Sequence, residues 1–276
     1  SIRFGRNLRG DNGAFVLVID NPEDLKGLPQ NVVEAAAQEA EQRGEAGKWA
    51  FTLDKPSLIP FLQYAENRDL RERLYTGYLT RCHHGDERDN RTVLDSIANL
   101  RLQRANLLGY PTHAAYVLDQ QMARTPEAVY ARLNELLPPA LERARGELAE
   151  MRAIKLAETG DSSFASWDWW FYAERLRKAK YDLNEDELRP YFALDSVRKG
   201  VFGLATKLYG ITFRERNDLP KYNPENRVFE VIDADGTTHL GVLYLDFHPR
   251  AGKRVGAWCT TFRSQAYDST GARIAP

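Results

Sequence analysis

The chain carries only two cysteines among 276 residues, Cys82 and Cys259, far apart and without C-x-x-C spacing. This argues against a disulfide framework and a cysteine zinc site, and fits a reducing compartment best. Net charge is also nearly missing, with 38 Lys and Arg against 39 Asp and Glu leaving −1 at pH 7. Such balance argues against a bulk electrostatic binder of nucleic acid or of a membrane surface. No apolar run approaches the roughly 20 residues that a membrane-crossing helix requires, and the opening segment lacks the apolar stretch of a signal peptide. Internal repeats, low-complexity tracts, the Walker A loop, G-x-G-x-x-G and G-x-S-x-G are absent too.

The composition that is present is globular: 43% hydrophobic, 28% charged, with 12 Phe, 5 Trp and 13 Tyr to fill a sizeable core. The length admits one domain or two. Because the sequence opens on Ser1 and stops at Ile274-Ala275-Pro276, it is expected to continue at both ends, where an upstream address would lie.

Apolar patterning predicts short strands at Phe15–Ile19 and Lys48–Leu53. Between them, residues 31–42 are rich in Ala, Glu and Gln and end at Gly44, a surface-helix pattern. Pro56 opens a further helix with Leu58, Phe61, Leu62 and Ala65 at helical spacing. The stripe Val93, Ile97, Leu100, Ala105 and Leu108 predicts a long helix closed by Gly109. Thr125-Pro126-Glu127 reads as an N-cap and first turn, and Pro138-Pro139 predicts a break or kink before a second rod over residues 140–157. Gly160-Asp161-Ser162-Ser163 is the most linker-like stretch, and the boundary is drawn there. Beyond it, Trp167-Asp168-Trp169-Trp170-Phe171-Tyr172 starts a helix with a basic far end at residues 175–180. Three large rings in four positions imply burial on more than one side. After a helix at residues 196–209 the period becomes two. Val228, Glu230 and Ile232 share a face, Asp235-Gly236 turns a hairpin, and strands at residues 240–247 and 256–262 complete a sheet.

Two clusters invite chemistry. Cys82-His83-His84-Gly85-Asp86-Glu87 packs five possible metal ligands into six positions. Structural zinc sites draw on spaced ligands and a contiguous block cannot wrap one ion, so a solvated turn is the favoured reading. Asp246-Phe247-His248-Pro249-Arg250 sets a carboxylate and a histidine on one side of a strand exit, beside a guanidinium. Acid/base sites use that combination, and so do ordinary strand ends.

The run Trp167 to Glu174, the segment Leu183 to Phe192, and Leu208-Tyr209-Gly210-Ile211, Tyr244 to Arg250 and Lys253 to Trp258 together resemble the zinc oligopeptidases. That family includes thimet oligopeptidase, neurolysin and bacterial peptidyl-dipeptidase. Trp49 to Leu53 and Leu107-Leu108-Gly109-Tyr110 are similar to the family's helical half, so the resemblance covers essentially the whole chain. The Trp-Asp-Trp block and Tyr181-Asp182-Leu183 look most like the peptidyl-dipeptidase branch, which removes dipeptides from free carboxyl ends.

The resemblance implies a mainly α fold with a small antiparallel β-sheet near the C-terminus, as in a fragment of a zincin-like peptidase. Residues 1–163 would form a helical lobe walling a channel, and residues 164–276 would begin the catalytic lobe. It further implies a zinc held by H-E-x-x-H and a downstream glutamate. None of His83, His84, His113, His239 or His248 is followed by glutamate, so the zinc is expected in the parent enzyme and no cofactor in this chain, which alone would be inactive. Gly256, Ala257 and Trp258 match the family strand that pairs with extended substrate, and are expected to bind it. Cys259 stands where the family pattern suggests methionine. The expected partners are short peptides and the missing C-terminal part of the same polypeptide, with no nucleic acid or membrane, in the cytoplasm. The alternative is a non-catalytic peptide-binding or scaffold protein of the same fold.

Overall fold

A computed structural model describes residues 2–181, 185–250, 252–254 and 256–276. The chain forms two compact units, residues 1–182 with 251–254 and residues 183–250 with 255–276. Gly160 ends a helix in left-handed conformation (φ 71°), and the helices before and after it pack on each other inside the first unit.

The first unit opens with α1 (Ile2–Ala14) and β1 (Leu17–Ile19), followed by α2 (Gln30–Gln42) and β2 (Trp49–Phe51). The two strands pair antiparallel, with Val18 opposite Ala50. Then come α3 (Lys55–Tyr64), α4 (Arg68–Leu79), α5 (Arg91–Leu107) and the short α6 (His113–Leu118). Leu17, Ile19, Val32, Phe51, Leu58, Phe61, Leu62 and Leu74 enclose the core, where Phe51 meets Phe61 edge-on at 4.6 Å. Pro56 lies in the first turn of α3, where an amide donor is spare. Asn67 caps α4 by accepting from the amides of Asp69 and Leu70.

The prolines at 138 and 139 do not break their helix. α7 runs unbroken over Pro126–Thr159, capped by Thr125 accepting from the Ala128 amide. Proline deprives the carbonyls of Asn134 and Glu135 of their partners, but this stretch is exposed and water can reach them. A single 3-10 turn (Ser166–Asp168) leads into α8 (Trp169–Tyr181). The aromatic block is buried differently than expected. Asp168, Phe171 and Tyr172 point inward, Trp167 is half-buried, and Trp169 and Trp170 are exposed. Residues 171–177 of α8 are all buried or partly buried, so the covered part of the helix begins one residue after Trp170.

The second unit holds α9 (Glu185–Leu188), a 3-10 turn (Arg189–Phe192) and α10 (Leu194–Tyr209). A sheet in the order β3-β4-β5 follows, with β3 Thr212–Glu215, β4 Arg227–Ile232 and β5 His239–Leu245, all antiparallel. Asp235-Gly236 turns the β4–β5 hairpin as read, and Gly236 takes the positive φ (76°) that the turn requires. The strand expected at residues 240–247 ends at Leu245. The strand expected at residues 256–262 is not formed, and β3 supplies the third strand instead. Gly252 and Gly256 carry φ of 78° and 110°, which turn the chain out of extended conformation. A small ribbon, β6 (Ala266–Tyr267) with β7 (Arg273–Ile274), closes the unit. Asp182, Leu183, Asn184 and Val255, each quoted in the resemblance, lie outside the described residues.

Candidate functional site

Where β5 leaves the sheet, Asp246 becomes the centre of a polar and aromatic cluster. Its two carboxylate oxygens accept from the Arg250 guanidinium at 2.8 and 2.9 Å, and one also accepts from the Tyr222 hydroxyl at 3.2 Å. Arg250 stands 5.9 Å from the Tyr222 ring centre. Tyr222, Tyr244 and Phe262 meet one another at 5.8–6.1 Å between ring centres. The Tyr244 hydroxyl donates to the Pro220 carbonyl at 3.0 Å. Burial, then the Asp246 charge, push the Tyr222 phenol up from its ordinary value.

With its oxygens committed to a guanidinium and a phenol, Asp246 works as a clamp on the strand exit rather than as a proton acceptor. Sequence reasoning found Asp246 and Arg250 but missed Tyr222 and Phe262. No local signal marks Tyr222, which is the sole aromatic residue between Phe213 and Phe229.

Gly256, Ala257 and Trp258 lie in the loop that follows. All three are exposed, Trp258 at 45%, and they belong to no strand ladder. The outer edge of β5 is met by residues 273–276. Arg273 donates to the carbonyls of His239 and Leu240 at 3.0 and 2.9 Å, and the Val242 amide donates to the Pro276 carbonyl at 3.3 Å. Gly241 permits this approach, since a Cβ there would lie 3.1 Å from the Pro276 ring.

Elsewhere in the sheet, Glu230 on β4 is bonded to His239 at 3.1 Å and Arg216 at 3.0 Å. The His239 hydrogen bond first, and Arg216 second, hold the Glu230 carboxyl below its ordinary value.

In the first unit, Asp168 has no exposed surface. It accepts from Arg68 at 3.0 and 2.9 Å, from Arg71 at 3.1 Å and from the Ala165 amide at 3.0 Å. Arg71, itself 2% exposed, also donates to the Ala65 carbonyl at 2.7 Å and lies 4.1 Å from the centre of the Phe171 ring. Burial alone would raise the Asp168 carboxyl. The Arg68 hydrogen bond, the Ala165 amide and Arg71 outweigh it and hold the carboxyl below its ordinary value. This clasp joins α4 to the entry of α8 and is fully used in doing so.

The Cys82–Glu87 block is likewise tied into the first unit. The buried Cys82 donates its amide to Asp11 at 2.6 Å, and His84 Nε2 lies 3.2 Å from the same carboxylate. Asp89 accepts from the Gly85 amide and from Arg91. A cleft of about 360 Å³ beside it is lined by Phe4, Leu8, Arg81, Cys82, His83 and Asn90 among others.

Among the described residues, no three His, Cys, Asp or Glu side chains gather where a metal ion could bind. This donor set does not fit the zinc that the resemblance implies. No helix among the described residues is long and apolar enough to cross a membrane.

Comparison with known proteins places these features in a family. The model of peptidase family M3 matches residues 61–274. The chain is similar to a dipeptidyl carboxypeptidase of Escherichia coli, 38% identical over 265 residues that cover 96% of this chain and 39% of that protein. It is also similar to a dipeptidyl carboxypeptidase of Salmonella typhimurium, 37% identical with the same coverage. Oligopeptidase A of Haemophilus influenzae is 35% identical over 260 residues, 93% of this chain and 38% of that protein. The chain thus spans well under half the length of the curated relatives it matches. By the family match over most of its length and the shared identity with these peptidases, the chain belongs to peptidase family M3.

Proposed function

We propose that the polypeptide containing this chain is a zinc peptidase that hydrolyses short peptides, of the dipeptidyl carboxypeptidase or oligopeptidase type. The observation that carries this reading is the 37–38% identity with two dipeptidyl carboxypeptidases across nearly the whole chain. This chain would supply scaffold and substrate-facing wall, while metal and water-activating groups come from sequence outside it, so the chain alone would be inactive. Residues 1–163 would belong to the helical lobe and residues 164–276 to the start of the catalytic one, in a protein that works in the cytoplasm.

Within the second unit, Gly256, Ala257 and Trp258 would hold substrate. Their support is exposure: an accessible main chain of small residues offers amide and carbonyl groups to an extended peptide, and the Trp258 ring offers apolar surface. The Asp246–Arg250–Tyr222 clamp would fix where that loop starts.

The test is peptide hydrolysis by the complete gene product and by the 276-residue chain, followed by product masses. Dipeptide release from free carboxyl ends by the complete protein, lost with a chelator and absent from the short chain, is the expected result. Trp258→Ala in the complete protein should raise KM several-fold with its zinc content unchanged. Unchanged KM would remove the loop from the substrate site. Peptide binding with no cleavage by the complete protein would instead favour the non-catalytic peptide-binding or scaffold reading.

A further inference from the structure

Helix α10 has three faces where a surface helix needs two. One face lies on the sheet: Phe202 stacks on Phe213 at 3.9 Å between ring centres and meets Phe229 edge-on at 5.0 Å. A second carries Ser196, Lys199, Thr206 and Lys207 into solvent. The third carries Leu194, Val197, Val201, Leu204 and Leu208, spaced three, four, three and four residues apart. At 3.6 residues per turn these five share an arc of about 80°. All five are exposed, between 41 and 63%. Gly200 flanks the stripe, and a Cβ built there would meet nothing within 4 Å, so the backbone lies bare beside the leucines. An apolar seam of this regularity is a packing face, and patches of this kind are rarely left in water.

We infer that this stripe of α10 docks against a part of the longer polypeptide that lies outside these 276 residues. The inference rests on the reading of the chain as part of a larger peptidase. What identifies the occupant is length: the dipeptidyl carboxypeptidases are matched over 96% of this chain but only 39% of their own sequences. A second copy fits less well. The 16 residues of α10 offer about two heptads, short of the three to four that a self-standing coiled coil needs. Contact within one polypeptide avoids the entropy loss of bringing two chains together.

Maleimide labelling tests this in the complete gene product, with the exposed Cys259 replaced by Ser and the buried Cys82 left in place. Leu204→Cys should label at least tenfold more slowly than Lys199→Cys after each rate is divided by its rate in urea. Val201→Cys should behave like Leu204→Cys, and guards against a single variant that misfolds. Equal rates at the stripe and at residue 199 would overturn the inference, and so would a gene product that ends with this chain. It would equally fall if the 276-residue chain alone protected the stripe. Sedimentation would then tell whether a second copy or the chain's own first unit covers it. Peptide cleavage measured on the same preparations separates the two readings, since a protected stripe without cleavage defeats only the proposed activity, and cleavage with a labelled stripe defeats only this inference.

Discussion

The two units are stabilised differently. The first closes around aliphatic and aromatic side chains with almost no exposed surface, and fastens α4 to α8 through the buried Asp168. The second has few buried apolar residues among those described, chiefly Val228, Phe229 and Ile232. It relies on ring contacts and on ion pairs open to water, such as Arg227 with Glu215 and Asp195. A unit with its own core can lose neighbours and stay folded. One whose main helix shows an apolar face to water takes part of its stability from elsewhere.

This contrast sets an order of expected effects. Asp168→Ala leaves Arg71 buried without its anion and should lower the stability of the first unit by about 3–5 kcal/mol. Denaturant unfolding followed by tryptophan fluorescence reads this unit, since four of the five tryptophans (Trp49, Trp167, Trp169 and Trp170) lie within it. A loss under about 1 kcal/mol, the scale of an exposed pair, would break the comparison. The same carboxyl gives a pH signature. Because its pKa is lower folded than unfolded, its contribution is fully present above the unfolded value of about 3.9 and disappears as pH falls through the folded value. Asp168→Asn should flatten the acid limb of the stability profile in that window.

Next, Leu74→Ala, at a site with no exposed surface, should cost the first unit about 2–5 kcal/mol. Val228→Ala, equally buried in the second unit, removes two carbons and should cost about 1.6 kcal/mol at roughly 0.8 per carbon. A larger loss at Val228 than at Leu74 would show that the sheet holds more of the stability than its burial indicates. The smallest effect belongs to Arg250→Ala. It removes a bidentate, partly buried partner of Asp246 and should cost no more than about 1 kcal/mol in denaturant unfolding, the loss shrinking as ionic strength rises.

How much of this could be read in advance depended on whether burial was apolar. The stretches that became α2 and α3, and the strands β1, β2 and β4, carry apolar residues at the spacing of their elements and were legible. Helix α5 was legible as a helix too, although Leu100 and Leu108 of its stripe are exposed and only Val93 and Ala105 are buried. Helix α1 was not, because its inward residues are polar. Asn7 donates to Asn90 at 3.0 Å, Asn12 donates to Asp54 at 2.9 Å, and Asp11 accepts from the Cys82 amide. Hydrophobic periodicity cannot register a face held by amides and carboxylates. Strand β3 escaped because Thr212–Glu215 is short and mostly exposed, and its place was given to residues 256–262, whose alternation is as good. Gly256 opens that segment at a positive φ of 110°, a backbone conformation that composition does not reveal. Asp246 and Arg250 could be picked out because they are near in sequence. Tyr222, 24 residues upstream, joins them only through the fold.

The long helix α7 can be regarded as a beam. Its 34 residues reach about 50 Å at 1.5 Å per residue, yet its buried residues, Met151 and Lys155, sit in the last third. The root is clamped by α8, and by Lys155 reaching the Asp161 carboxylate and the Ser163 carbonyl at 2.5 Å each. Midway along, the two prolines leave consecutive rungs without hydrogen bonds, so bending stiffness is lowest there and not at the root. A sideways load on the far end, near Tyr130, would turn α7 about Pro138-Pro139 while the clamp around Met151 stayed still. The helix is a cantilever with a compliant joint at mid-span.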